Sequence, residues 1–323
     1  MTPRVRVLTT VAVAACLAAG GVVGVTLLQT HGESTTAPGA VAKPRAGIPP
    51  LFLDFGVRAD REARELTTAA TLLNGKHVAA ARTIFSRYHS LQAQIGLTFS
   101  NWPGNGLDTL KTLVAHYPRS PVAGYHLGWA FLWSGRVADA VREWQRVAKA
   151  FPDSAEAVEA ENELYPNDTP DLPYLVLPVT LPSAPSRAAQ ERVLAATARK
   201  PDAAAKLRYG FFLWQLMRPV SAQRQFAAAA KLAPDDPAAR TAAAVGLFTK
   251  RNPTRAFGAL GPLTAVFPRA PVVRFELGLL LIWTAQPKKG LAQLRLAAAA
   301  DPHSEYAREV RTLLAHLVNH GTK

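Results

Sequence analysis

A single cysteine, Cys16, stands among 323 residues. No intramolecular disulfide can form, and cysteine pairing says nothing about the redox compartment. No alternation of apolar and polar residues runs long enough for a half-buried strand, which leaves an all-α class. The chain lacks a glycine-rich phosphate loop and a Gly-x-Ser-x-Gly elbow, so two common catalytic scaffolds are excluded. His316 and His320 stand four apart, but Leu317 occupies the place where a zinc protease needs glutamate. His126 sits beside the small-residue contact at Gly128 and reads as a packed or groove residue rather than a catalyst. The acids between 153 and 171 have no histidine or cysteine alongside. No catalytic residue, cofactor or metal is expected, and the chain reads as a non-enzyme.

Acidic residues are also scarce, with 23 Asp and Glu against 37 Lys and Arg, a net charge of +14. The imbalance is local. Residues 151–186 hold seven acids and no Lys or Arg, whereas residues 187–323 hold 21 Lys and Arg against 8 acids. Such a surplus draws anionic partners, here an anionic lipid surface or wall polymer. Nucleic acid is not expected, because the amino terminus places the basic part outside the cytoplasm.

That terminus is the longest apolar run. Residues 7–28 are 22 uncharged, mostly apolar positions, about 33 Å as a helix against a bilayer core of roughly 30 Å. Arg4 and Arg6 precede it and favour a cytoplasmic amino terminus. The expectation is a single-pass cell-membrane anchor at 1–28, with the remainder outside the cytoplasm. The alternatives are a secreted protein with a cleaved signal, or a lipoprotein acylated at Cys16 within Val13-Ala14-Ala15-Cys16. Residues 29–50, rich in Thr, Gly, Ala and Pro, read as a flexible linker, and 51–323 as the folded part.

What the folded part has in abundance is a period. Pro118 to Pro152, Pro234 to Pro268 and Pro268 to Pro302 are each 34 residues apart. Upstream of these prolines a small residue and then a bulky one recur in phase. Leu127-Gly128-x-x-Phe131 is followed by Ala140-x-x-x-Trp144, and Tyr209-Gly210-x-x-Leu213 by Ala222-x-x-x-Phe226. Ala243-Ala244-x-x-Leu247 precedes Ala256-x-x-x-Leu260, and Leu277-Gly278-x-x-Leu281 precedes Gly290-x-x-x-Leu294. The small residues suit close helix–helix approach, and each proline ends the second helix. This pattern resembles the tetratricopeptide repeat family, a helix-turn-helix unit of that length. The resemblance implies a right-handed superhelical solenoid of helix pairs.

Earlier units read as degenerate copies at 57–89 and 90–118, with Gly75, Ala80 and Ile84 mirroring Gly135, Ala140 and Trp144. Residues 165–186 carry six prolines and are expected to be a non-helical insertion, before helix resumes at Arg187. A last helix, Ser304–Val318, is expected to cap the stack.

In the family, first-helix residues line a concave face that binds partners. Carried over by position, that face comprises Tyr125, Trp129, Leu132 and Trp133, then Phe211, Trp214 and Phe248, and finally Phe275, Leu279, Ile282 and Trp283. The resemblance implies a protein-binding scaffold whose partner is another protein or an apolar peptide segment. A carrier of an apolar ligand or lipid is the alternative. A face this apolar needs covering. A partner, the chain's own segment Leu172–Val179, or neighbouring repeats would each serve.

Overall fold

The structure, a computed structural model, describes residues 42–320. The expected anchor and Cys16 lie outside the described residues, as do the side chains of His316 and His320. Among the described residues every regular element is helical, with no strand. No helix there is long and apolar enough to cross a membrane.

The chain divides into two compact units. The N-terminal unit runs to Leu164 and takes in Ser183–Glu191. Its helices are α1 (Arg61–Asn74), α2 (Val78–Phe85), α3 (Leu91–Ser100), α4 (Gly106–His116), α5 (Pro121–Trp133), α6 (Val137–Ala150) and α7 (Ala155–Leu164). Helix α8 (Arg187–Thr197) starts beyond the insertion. The C-terminal unit joins Tyr165–Pro182 to the chain from Arg192 onward. It holds α9 (Ala203–Gln215), α10 (Pro219–Leu232), α11 (Pro237–Val245), α12 (Thr254–Leu260), α13 (Leu263–Val266), α14 (Pro271–Trp283), α15 (Pro287–Ala300) and α16 (Glu305–His320).

Local chemistry sets the helix ends. Asp60, Ser90, Ser154, Ser186, Asp202, Asp236 and Ser304 each accept a backbone N–H from the first turn that follows. Proline opens α5, α10, α11, α14 and α15, where its missing N–H costs nothing. Gly261-Pro262 interrupts the second helix of the 237–268 unit and splits it into α12 and α13.

Within each unit the hairpins close as their small residues require. A Cβ at Gly128 would stand 2.3 Å from Trp144 Nε1, at Gly210 2.6 Å from the Phe226 ring, and at Gly278 2.8 Å from Leu294. Trp144, Phe226 and Leu294 are accordingly among the most buried side chains. The first unit needs a correction of one residue. Lys76, at φ +67°, takes the left-handed turn position that Gly135 takes at +77°. The phase therefore starts at Lys76 rather than Gly75. Ala81 and Phe85 are fully buried, while Ala80 is exposed and Ile84 only partly covered.

Residues 165–186 contain no helix. The expected linker ends earlier than its composition suggests, because residues 42–50 are docked on α5 as described next.

Candidate functional site

In the N-terminal unit, a non-helical strap of residues 42–55 runs over the first helix of the clearest hairpin. The N–H of Ala42 donates to Gly135 O and that of Arg45 to Trp133 O, both at 2.9 Å. The last carbonyls of a helix lack intrahelical partners, so these bonds satisfy groups that would otherwise be left open. The Arg45 guanidinium lies 5.3 Å from the Trp133 ring centroid, a cation–π distance. Phe52 meets Tyr125 edge-on at 6.0 Å, and the side-chain amide of Asn74 takes both the N–H and the C=O of Leu51.

His126 is the polar centre of this contact. Its fully buried ring has Nδ1 2.7 Å from Val122 O, to which it donates. Nε2 is then free to accept the Phe52 N–H at 3.3 Å. Burial pulls its pKa down to about 4, so the neutral ring that this pairing needs is the form present near neutrality. Beside the strap, burial first and then the charge of Asp54 push the Glu156 carboxyl up to about 7.

Gly135 is glycine for two reasons: its backbone is left-handed, and a Cβ there would stand 1.8 Å from Ala42 O. Gly135→Ala is expected to lower stability by about 1–2 kcal/mol from the conformation alone. It should also free the strap's start, seen as hydrogen exchange accelerated more at the Arg45 amide than at α6 amides. Unchanged exchange at Arg45 would show that the strap does not depend on this close approach.

The C-terminal unit has its own strap, the middle of the proline-rich insertion. Thr169 Oγ1 donates to Trp283 O at 2.6 Å, and Trp214 Nε1 donates to Pro173 O at 2.9 Å. The Val176 N–H donates to Glu276 Oε1 at 2.8 Å, and Tyr306 OH donates to Val176 O at 3.3 Å. Pro173, Leu175 and Leu177 are buried while Tyr174 and Val176 are half-covered, the period of two of an extended chain. Leu175 and Leu177 belong to one core with Trp214, Phe248 and Phe275. Glu276 is fully buried, and desolvation holds its carboxyl well above the usual carboxylate range.

None of the residues expected on the concave face is bare. Tyr125, Trp129, Leu132, Trp214, Phe248 and Phe275 are buried, and Trp133, Phe211, Leu279, Ile282 and Trp283 are half-buried. In each unit the chain's own strap provides cover, and neighbouring helices provide the rest. The polar groups that hold the straps, His126, Asn74, Glu276 and Tyr306, were not expected as site residues. A histidine and a glutamate on otherwise apolar helix faces were the signal available.

Residues 122–154, which hold α5 and α6, match the family model described as Tetratricopeptide repeat. No curated protein matches the chain. Among solved structures it is similar to yeast Tom70, at 12% identity over 83% of this chain and 52% of that one, with a TM-score of 0.35. It is also similar to a tetratricopeptide repeat protein from Parabacteroides merdae, at 10% identity over 78% and 98% with a TM-score of 0.31. The TPR2AB domain of yeast Sti1, solved with pHSP90, gives 11% over 78% and 98% with a TM-score of 0.29. The chain spans about half the length of the Tom70 chain. The matched stretch is a single hairpin, and the other hairpins repeat its spacing of small and bulky residues.

Proposed function

We propose that this protein is a non-enzymatic protein-interaction scaffold whose first-helix faces receive extended peptide segments. The observation that carries this is the pair of straps, each held on such a face through main-chain hydrogen bonds. Side chains that take the N–H and C=O of a passing chain read a peptide backbone, which a lipid does not have. Residues 1–28 anchor the scaffold in the cell membrane, with the hairpins outside the cytoplasm. The basic surplus of residues 187–323 draws that part toward anionic lipid or wall polymer.

The test is crosslinked affinity capture of the full chain from its native membrane, beside a Trp283→Ala variant shown by circular dichroism to be folded. One dominant protein, captured by the wild type and reduced at least tenfold in the variant, is the expected result. Equal capture by both forms would remove the face from the function, and turnover by the purified protein would remove the scaffold reading.

A further inference from the structure

The two straps share a short apolar pattern in the same register. Arg45 and Thr169 each supply the donor that meets the carbonyl of the last tryptophan of a first helix, Trp133 and Trp283 respectively. Seven residues further on, the N–H groups of Phe52 and Val176 meet His126 and Glu276. The acceptors also match, since each stands two residues before the small residue of its helix, Gly128 or Gly278, and seven before its tryptophan.

From the left-handed residue onward the straps match at alternate positions. Gly47 and Asp171 both lie in the left-handed region, at φ +85° and +66°. Ile48 matches Leu172, buried Pro49 matches buried Pro173, buried Leu51 matches buried Leu175, and Leu53 matches Leu177. The shared text is [Ile/Leu]-Pro-x-Leu-x-Leu after a left-handed residue. Two hairpins in different units have thus taken up one ligand in one way. Recognition of that ligand is a property of the hairpin face, and a segment from elsewhere satisfies it equally.

We propose that this face is a receptor for extended [Ile/Leu]-Pro-x-Leu-x-Leu segments, and that a partner protein carrying one docks on α14, beside Trp214 of α9 and Tyr306 of α16, by displacing residues 169–179. The C-terminal strap is the one to be displaced. Residues on both of its sides, 165–168 and 180–186, are non-helical, so it lifts away without unwinding a helix. The chemistry of the occupant follows from the contacts. Proline pre-extends it and lowers the ordering cost. Alternate leucines fill the core side, and an N–H at the Val176 position meets Glu276. An amphipathic helix cannot substitute, because its interior N–H groups are already bonded within the helix. The tethered strap competes at an effective concentration of about a millimolar. Against a segment binding at about 10 μM, it weakens apparent affinity about a hundredfold.

This inference rests on the scaffold reading, and its test is separate. A fluorescein-labelled peptide of residues 167–181 is titrated into the full chain in detergent. It is titrated also into a strap-weakened variant carrying Leu172→Ser, Leu175→Ser and Leu177→Ser. The variant is expected to bind at least tenfold more tightly than the wild type. N-methylation of the peptide at Val176 should weaken binding at least tenfold, and an unlabelled peptide of residues 43–57 should compete. A folded variant that ignores the peptide, or indifference to N-methylation, would overturn the proposal. So would a strap-exchanged dimer found by light scattering in place of peptide binding. Should the variant not fold, hydrogen exchange of the wild type decides. The Val176 amide is expected to exchange at least a hundredfold faster than that of Leu280, and equal rates would mean that the strap never leaves. A captured partner lacking the sequence would leave the scaffold reading standing and remove this one.

Discussion

Replacing Trp144 by alanine is expected to cost the N-terminal unit about 3–5 kcal/mol, the range for deleting a large buried aromatic. Trp144 is fully buried on α6 and fills the space that Gly128 leaves open on α5. Its indole N–H donates to Tyr125 O at 3.1 Å, and its ring meets Trp129 edge-on at 5.3 Å. Alanine removes all of these contacts at once. Glycine opposite has no side chain with which to collapse into the void. The loss should be confined to its unit, because solenoid repeats interact chiefly with their neighbours. Hydrogen exchange resolves this, with opening free energies falling for α5 and α6 amides and holding for α14 and α15. A loss below about 1.5 kcal/mol, outside the usual range for such truncations, would mean that the hairpin repacks around the missing ring.

Stability of the C-terminal unit is expected to fall as pH rises, by about 1.4 kcal/mol per pH unit over the window set by Glu276. The folded carboxyl is fully buried and held well above its ordinary value of 4.5. The unfolded chain sheds this proton near 4.5, and the folded chain keeps it until its raised pKa is reached. In that window the native state binds one more proton than the unfolded state, so each step upward favours unfolding. The contribution is whole below pH 4.5 and is lost progressively above it. Glu276→Gln retains an oxygen to accept the Val176 N–H and has nothing to ionise. The variant should match the wild type near pH 4.5 and become steadily more stable than it as pH rises from there, as read from opening free energies of α14 and α15 amides. Parallel profiles for the two proteins would show that Glu276 does not titrate with folding.

The hairpins were legible in the sequence because their grammar is local. Gly128 and Trp144, Gly210 and Phe226, and Gly278 and Leu294 announce close helix pairs by spacing alone. The prolines on the 34-residue beat mark where the second helices end. The insertion was legible for the same reason, since six prolines in 165–186 forbid a helix. Candidate face residues such as Trp133 and Trp283 could be placed by phase on the helix. What phase does not show is what lies over them. The text Ile48-Pro49-x-Leu51-x-Leu53 recurs as Leu172-Pro173-x-Leu175-x-Leu177, a repeat that can be found by eye. Its meaning depends on helices that begin 73 and 99 residues after Ile48 and Leu172, at Pro121 and Pro271 respectively.

The sequence by itself therefore determined the helical class, the phase of the clearest hairpins though not of the first, and the place of the non-helical insertion, each through contacts between residues near one another in the chain. Only the tertiary structure decided that the apolar faces carry straps and that His126 and Glu276 are acceptors for strap N–H groups. Only the tertiary structure showed that composition sets the end of the linker too late. Those outcomes depend on hydrogen bonds spanning 74 and 100 residues. A buried donor must find its acceptor somewhere in the fold, but nothing in the local pattern says where.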